Sequence, residues 1–319
     1  MPRTQTQQLA RHLTEGWPSA PLEDWAETRA TLHMWAEIVG KVRLALAPMV
    51  NHWWQVPLYV STRGLTTSAI PYGAGTFEME FDFCDHHLHV RSSDGRERRV
   101  ALEPKSVAAF YHETLTALDA LGIEVTLWPT PVEVDSPVPF PEDTEHASYQ
   151  PEPVHRFWVQ LTSVQRVMTE FRSRFVGKVS PVHFFWGAMD LTVTRFSGRP
   201  APPHPGGTPN LADRVTAEAY SHEVSSCGFW PGGSAEGTFY SYAYPEPPGY
   251  AQYPVRPAAA AYNPDGGEFL LPYEAVRTAD DPDRELMEFL RSTYEAAAER
   301  AGWDRDALEI RTEPRAAPR

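Results

Sequence analysis

The feature that most constrains this chain is a string that occurs twice in similar company. Val39-Gly40-Lys41-Val42 and Val176-Gly177-Lys178-Val179 each close a stretch with helical spacing. After each comes a proline, then a histidine with two bulky aromatics, His52-Trp53-Trp54 and His183-Phe184-Phe185. Trp54 stands as far before Arg63 as Trp186 stands before Arg195, in segments that read as strands. Towards the end of each half, Phe110 and Thr114 lead to Gly122, as Phe289 and Thr293 lead to Gly302. Short helix-then-strand strings can converge, but an ordered succession of matches is what a duplicated unit leaves behind. The expectation is two halves about a pseudo-two-fold axis, with the groove between them as the default ligand site.

Hydrophobic periodicity fills in the halves. Trp25, Leu32, Trp35, Ile38, Val39 and Val42 share a face at helical spacing, and the helix should end before Pro48. The aromatic and β-branched run from His52 to Thr67 reads as a strand. Phe77, Met79, Phe81 and Phe83 alternate with Glu78, Glu80 and Asp82, as in a strand with one packed and one wet face. Asp94-Gly95 joins two further runs, His86–Ser92 and Arg98–Leu102, as a hairpin. A helix from Pro104 to Gly122 and a strand over Ile123–Leu127 close the first half. In the second, Phe157 to Phe175 spaces as a helix, Val182–Phe196, Tyr220–Val224 and Thr238–Tyr244 as strands, and Leu286 to Ala297 as a closing helix. The fold class is therefore α+β, two related α-β-sheet-α halves with antiparallel sheets. The boundaries are a lead-in at 1–21 that rests on the body through Trp17, a first half at 22–128, a proline-rich connector at 129–153, a second half at 154–310 and a frayed tail at 311–319.

Composition narrows the partners. Twenty-eight Lys and Arg stand against 42 Asp and Glu, a formal net charge of −14, which argues against nucleic acid and anionic membrane surfaces. The longest apolar stretch, Leu44–Val60, is broken by Pro48, Asn51, His52, Gln55 and Pro57, so a bilayer-spanning helix is not expected. Cys84 and Cys227 are too few for a disulfide framework, and the start of the chain lacks a signal-peptide pattern, so the reading is cytoplasmic with both thiols free.

Several stretches together carry a resemblance: Thr31-Leu32-His33-Met34-Trp35, Asn51-His52-Trp53-Trp54, Arg63-Gly64-Leu65-Thr66-Thr67-Ser68, Pro181 to Gly187, and Tyr220-Ser221-His222-Glu223-Val224. Over nearly its whole length the chain resembles an uncharacterised bacterial family, the domain of unknown function numbered 5996. The resemblance implies no activity, substrate or catalytic residue.

Four constellations carry chemistry by residue type. Ser221-His222-Glu223 with Cys227 offers a general base or metal ligand, although on a regular strand His222 and Glu223 point to opposite faces. His52 and His183 recur at matching places, with Asp190 as an acidic partner on the second strand only. His87 and His89, next to His86, share a strand face at a spacing that suits a metal. Arg63, Arg195 and Arg199 could orient an anionic group in bidentate fashion. The alternative in each case is structural: a histidine satisfied by a carbonyl, a buried thiol, an exposed hairpin histidine, a surface ion pair.

The sequence thus points to a small-molecule enzyme acting on an anionic substrate by acid-base or metal-assisted chemistry. His222, Glu223, His183 and Asp190 are its catalytic candidates, and Arg63, Arg195, Arg199, Trp54, Trp186 and Trp230 its substrate-binding ones. If a divalent metal is bound, His52, His183 and His222 are its candidate ligands. The alternative is a non-catalytic binding or scaffold protein using the same aromatic groove. Oligomeric state is not legible.

Overall fold

The computed structural model describes residues 16–310. Two antiparallel sheets of six strands each, with helices against them, make an α+β fold. Helix α1 (Ala26–Leu46) leads into the first sheet, formed by β1 (Tyr59–Val60), β2 (Gly64–Thr66), β3 (Ile70–Tyr72), β4 (Gly75–Asp82), β5 (His87–Ser92) and β6 (Glu97–Ala101). Helix α2 (Val107–Asp119) closes this half, its first turn capped by the Ser106 side chain, which accepts from the Ala109 N–H. Helix α3 (Pro151–Ser173) leads into the second sheet: β7 (His183–Phe185), β8 (Asp190–Pro200), α4 (Asp213–Ala219), β9 (His222–Trp230), β10 (Thr238–Tyr244), β11 (Ala261–Asn263) and β12 (Glu268–Pro272). Helices α5 (Tyr273–Arg277), α6 (Pro282–Arg300) and α7 (Arg305–Leu308) finish the described chain.

The strand orders agree over the first four positions and then part, because β12 lies inside β11 and the first sheet has no sixth position in its row. The first sheet runs β1-β2-β4-β5-β6, with β3 continuing beside β4 beyond β2, and the second runs β7-β8-β9-β10-β12-β11. The sheets meet at their first strands, where the Leu58 N–H donates to Phe184 O at 2.8 Å and the Phe184 N–H to Leu58 O at 2.7 Å. Each long helix also reaches the other half's first hairpin. In α1, His33 Nε2 lies 2.8 Å from Gly187 O; in α3, Trp158 Nε1 donates to Ser61 O at 3.1 Å. The Trp186 ring fills the place a Cβ would take at Gly40 of α1, a close approach that only glycine permits. Apolar residues from both sheets and all the long helices join in one continuous core.

The recurring strings mark like regions, but their register is not the structural one. Val39–Val42 lies inside α1, which runs on to Leu46, whereas Val176–Val179 follows the end of α3 at Ser173. His52 sits in a 3-10 turn, Asn51–Trp53, and Leu58 is what faces Phe184 across the junction. Residues 123–127 form no strand; Ile123 and Leu127 pack into the core from an irregular segment. Val182–Phe196 is a hairpin, β7 and β8, turning through residues 186–189. Most of the expected lead-in and the expected frayed tail at 311–319 lie outside the described residues; Trp17 lies against Phe239 and Tyr273, and its Nε1 donates to Asp283. No helix among the described residues is long and apolar enough to cross a membrane.

The proline-rich segment is closely held. From α1, Lys41 Nζ donates to Thr130 O at 2.6 Å, and both Glu37 carboxylate oxygens accept from the Val132 N–H, at 3.1 and 3.0 Å. Phe140 and Tyr149 are buried, Tyr149 stacked on Trp35. The prolines limit the unfolded chain's freedom, so holding this path costs less entropy.

Candidate functional site

Period-two alternation gives the second sheet two unlike faces. On one, Leu191 and Val193 of β8, Cys227 and Phe229 of β9, and Phe239 of β10 are buried towards the helices. The other carries Asp190, Thr192, Thr194 and Phe196, then Val224 and Ser226, then Thr238, Tyr240 and Tyr242, then Glu268 and Leu270. These form the floor of a cavity of about 640 Å3. Strand register orders the floor into rows: His183, Thr192, Gly228 and Tyr240 lie side by side, and Thr194, Ser226, Tyr242 and Glu268 form the next row. A Cβ at Gly228 would fall 2.3 Å from the Tyr240 phenol, so this glycine lets the ring lie across the sheet. His52 and Trp54 from the first half, Glu133 from the proline-rich segment, and Ala219 with Tyr220 after α4 also line the cavity.

One end holds two carboxyl groups with no cationic partner among the described residues. Asp190 accepts a short hydrogen bond from the Tyr240 hydroxyl, and burial pushes its carboxyl up to about 6. Glu133 keeps open surface, which lies on the cavity lining, yet dense surroundings and then the Asp190 charge push it up to about 7. The clamp from Glu37 and Lys41 holds the chain just before Glu133, whose own N–H donates to Pro209 O at 2.9 Å. After it, Asn210 Nδ2 donates to Val134 O at 2.7 Å. Burial moves the two clamping groups towards neutrality, Glu37 upward and Lys41 downward. Beside the carboxyls, His183 is fully buried, and neither ring nitrogen has a hydrogen-bond partner. Burial, with Arg43 and Arg172 nearby, drops it to about 3, so it is neutral.

The other end is built around His52. Its Nδ1 lies 3.0 Å from Glu218 O and its Nε2 2.5 Å from Lys178 Nζ, so Nδ1 carries the proton and Nε2 accepts from the ammonium. Burial lowers this imidazole's pKa. Lys178 also stands over the Trp54 and Phe196 rings. Between the ends, Tyr220 and Tyr242 hydroxyls lie 2.8 Å apart, and Ser226 Oγ sits 2.8 Å from Thr194 Oγ1. Four of the seven described non-glycine residues with left-handed φ, namely His52 (59°), Trp53 (61°), Glu133 (58°) and Met189 (59°), line this cavity or adjoin its lining. Such backbone persists only where the surroundings fix it, and it concentrates at functional sites.

The expected site residues fall into three groups. His52, His183, Asp190, Trp54 and Trp230 share the cavity. His222 and Glu223 stand beside it: the His222 ring is edge-on to His52 at 5.9 Å, and Glu223 pairs with Arg199 at 2.7 Å. Glu223 lines a separate cleft of about 290 Å3 with Val224, Arg300 and Trp303. The remaining residues serve packing or surface pairing. Arg63 binds Asp82 and, at 2.9 Å, Asp85 on the first sheet. Arg195 is buried on the helix-facing side, 3.5 Å from the Phe171 ring centre, because its odd position on β8 points away from Asp190. Trp186 packs on α1 and donates to Val56 O at 2.9 Å. The expected meeting of histidines with Arg63 or Arg195 does not occur, and an anionic substrate loses the cations on which that expectation rested.

His86 bonds Tyr149 OH, His87 the Asp85 carbonyl and His89 Glu97, so these three serve the first sheet. Cys227 is buried, its thiol pushed up to about 12, and both cysteines are free. Among the described residues, no three His, Cys, Asp or Glu side chains are grouped to hold a metal ion. Sequence reasoning missed Glu133 and the hydroxyl floor. The available signal was Asp190-x-Thr192-x-Thr194 with Tyr240-x-Tyr242, polar faces on strands too apolar between to be surface strands.

No curated protein and no solved structure gives a significant match to the chain. A family model does, over residues 17–310, which takes in both sheets, the proline-rich segment and every residue of the cavity. The chain therefore belongs to DUF5996, a family of unknown function.

Proposed function

We propose that the protein is an enzyme that binds a small organic molecule in the second sheet's cavity and acts on it by proton transfer, with Glu133 and Asp190 as the acid-base pair. The observation that carries this is two carboxyls, with no cation among the described residues to pair them, pushed up to about 7 and about 6 in one aromatic cavity. Groups near neutrality can both give and accept a proton at working pH. The Tyr240 hydroxyl steadies ionised Asp190, while neighbouring charge keeps a proton on Glu133, so the two divide the roles. The cavity has the size and mixed lining of a small-molecule site. The like-ordered sheets support our reading of a duplicated unit in which the second copy carries the site. The free thiols of Cys84 and Cys227 support a cytoplasmic setting.

The test is a small-molecule library read two ways, by thermal shift for binding and by mass spectrometry for consumption. Compounds that stabilise both wild type and Asp190→Asn, but are consumed only by wild type, are the expected result. Binding without consumption by either protein would make this a binding protein, the second reading that the enclosed aromatic walls favour. If Ser226→Trp, which fills the cavity floor, binds the same compounds equally well, the site lies elsewhere.

A further inference from the structure

We propose that the ligand of this cavity is an organic cation, a protonated amine on an aromatic or alkyl frame, whose ammonium is held by Glu133 and Asp190. The inference rests on the reading of the cavity as the ligand site and names what that site selects.

Charge balance is the first argument. Glu133, Asp190 and Glu268 line the cavity, and among the described residues no lysine or arginine does. Burial keeps the lining His183 neutral, and the Lys178 ammonium is engaged at the other end, where it donates to His52 and stands over Trp54 and Phe196. On the first sheet and near α5, by contrast, acids meet arginines at close range: Arg91 lies 3.0 Å from Glu78 and 2.7 Å from Glu80, and Arg277 lies 2.7 Å from Glu236. Glu133 and Asp190, brought together at one end of an aromatic cavity without a cationic partner among the described residues, leave a place for a positive charge brought in from outside. An ammonium between them would replace like-charge repulsion by charge-assisted hydrogen bonds.

The walls suit the same ligand. Trp54, Phe185, Tyr220, Tyr240, Tyr242 and Trp230 present rings to the cavity, and ring faces attract organic cations. An inorganic cation would leave these surfaces unused, and no three-ligand group of His, Cys, Asp or Glu is available for one among the described residues.

His183 is the independent observation. It is fully buried at the cavity lining, neither ring nitrogen has a partner among the described residues, and its strand partner is Thr192 on the cavity floor. A buried polar group without a partner is costly, so the ring gains by turning one nitrogen towards a polar ligand atom in the cavity. Thr192 lies two residues from Asp190 along β8, a rise of roughly 7 Å at ~3.3 Å per residue. The ligand is thus an amine with a hydroxyl or carbonyl several ångströms from its nitrogen.

Three probes of nearly one shape separate the possibilities: tyramine, with an ammonium; tyrosol, with a neutral hydroxyl in its place; and 4-hydroxyphenylacetate, with a carboxylate. Calorimetric titration of the wild-type protein at pH 7 should show tyramine binding at least about tenfold more tightly than either of the others. Its affinity should rise from pH 5 to pH 8, because the cation favours ionised Glu133 and Asp190, and binding should release protons to the buffer. Tyr220, Tyr240 and Tyr242 remain protonated across that range, since burial raises all three phenols. Glu268, also raised by burial, contributes in the same direction. The double variant Glu133→Gln/Asp190→Asn should lose the preference for tyramine and the proton release, and His183→Phe should weaken tyramine several-fold. If tyrosol or 4-hydroxyphenylacetate binds as tightly as tyramine in the wild type, and Ser226→Trp removes that binding, the cation inference falls while the cavity reading stands. If none of the three binds, the cation inference also falls, and the library screen alone decides the fate of the broader reading.

Discussion

The two sheets begin with a like order of strands yet treat charge in opposite ways. On the first sheet's wet face, acids and bases sit in cross-strand register: Glu78 opposite Arg91 and Arg91 opposite Glu97, with His89 2.6 Å from Glu97 and Arg99 3.1 Å from it. The corresponding face of the second sheet has acids and phenols around a cavity, and its one buried strand arginine, Arg195, points to the helices instead. The first face is complete in itself, each charge compensated by a neighbour and by water. The second face is incomplete, and chemistry is expected where a fold gathers carboxyls of raised pKa in a cavity without compensating them.

The comparison breaks first at Arg195. If this arginine belongs to the core rather than to a ligand, Arg195→Ala should destabilise by about 3 kcal/mol, as large-to-small changes in packed interiors do. Urea denaturation measures the loss, and tyramine affinity at a temperature where the variant is folded should stay unchanged. A variant that keeps its stability but loses ligand affinity would return Arg195 to the site.

Gly228→Ala comes next, at about 2 kcal/mol, because the new methyl overlaps the Tyr240 ring and drives its hydroxyl off Asp190. Thermal melting reads the cost. The same variant should lose turnover, because Tyr240 no longer steadies the carboxylate. Unchanged stability and activity together would mean that the glycine has no such role.

The pH response sharpens the contrast, since the two faces should carry opposite signs. Asp190 and Glu133 hold protons more tightly folded than unfolded, so the stability they contribute is present below about pH 4 and is lost as pH rises through about 6 and 7. Glu97, lowered to about 2 chiefly by the hydrogen bond from His89, behaves in reverse: its contribution is present above its ordinary range and is lost as pH falls towards 2. Denaturation of wild type against Glu133→Gln/Asp190→Asn should therefore show the variant gaining on wild type between pH 4.5 and 7.5. A variant that loses ground over that range would place both carboxyls in ordinary ion pairs.

The smallest effect belongs to the first sheet. Arg91→Ala should cost less than about 1 kcal/mol, because its pairs with Glu78, Glu80 and Glu97 are partly exposed and screened. Ligand affinity should not change. An effect on binding would show that the first sheet's charges reach the site after all.

Local order made much of this protein legible in its sequence. Alternation at Phe77-x-Met79-x-Phe81 fixes which face of β4 is buried, because side chains on a strand point by turns to opposite faces. The Asp94-Gly95 turn and the spacing of Trp35, Ile38 and Val42 act within a few residues, so the hairpin and the long helix could be read directly. His183, Asp190, Trp54 and Trp230 could be singled out because their residue types are unusual in apolar stretches. Which of them meet was decided elsewhere. A one-residue difference in position along β8 sends Arg195 to the core and Thr194 to the cavity, and the duplicated strings misplace His52 by setting it on a strand. Glu133 reaches the cavity only because Glu37 and Lys41, about a hundred residues earlier, hold the proline-rich segment against α1. Periodicity records which side of an element is dry. Which elements face one another depends on packing between segments far apart in sequence, and the uncompensated charge of the cavity exists only once that packing is made.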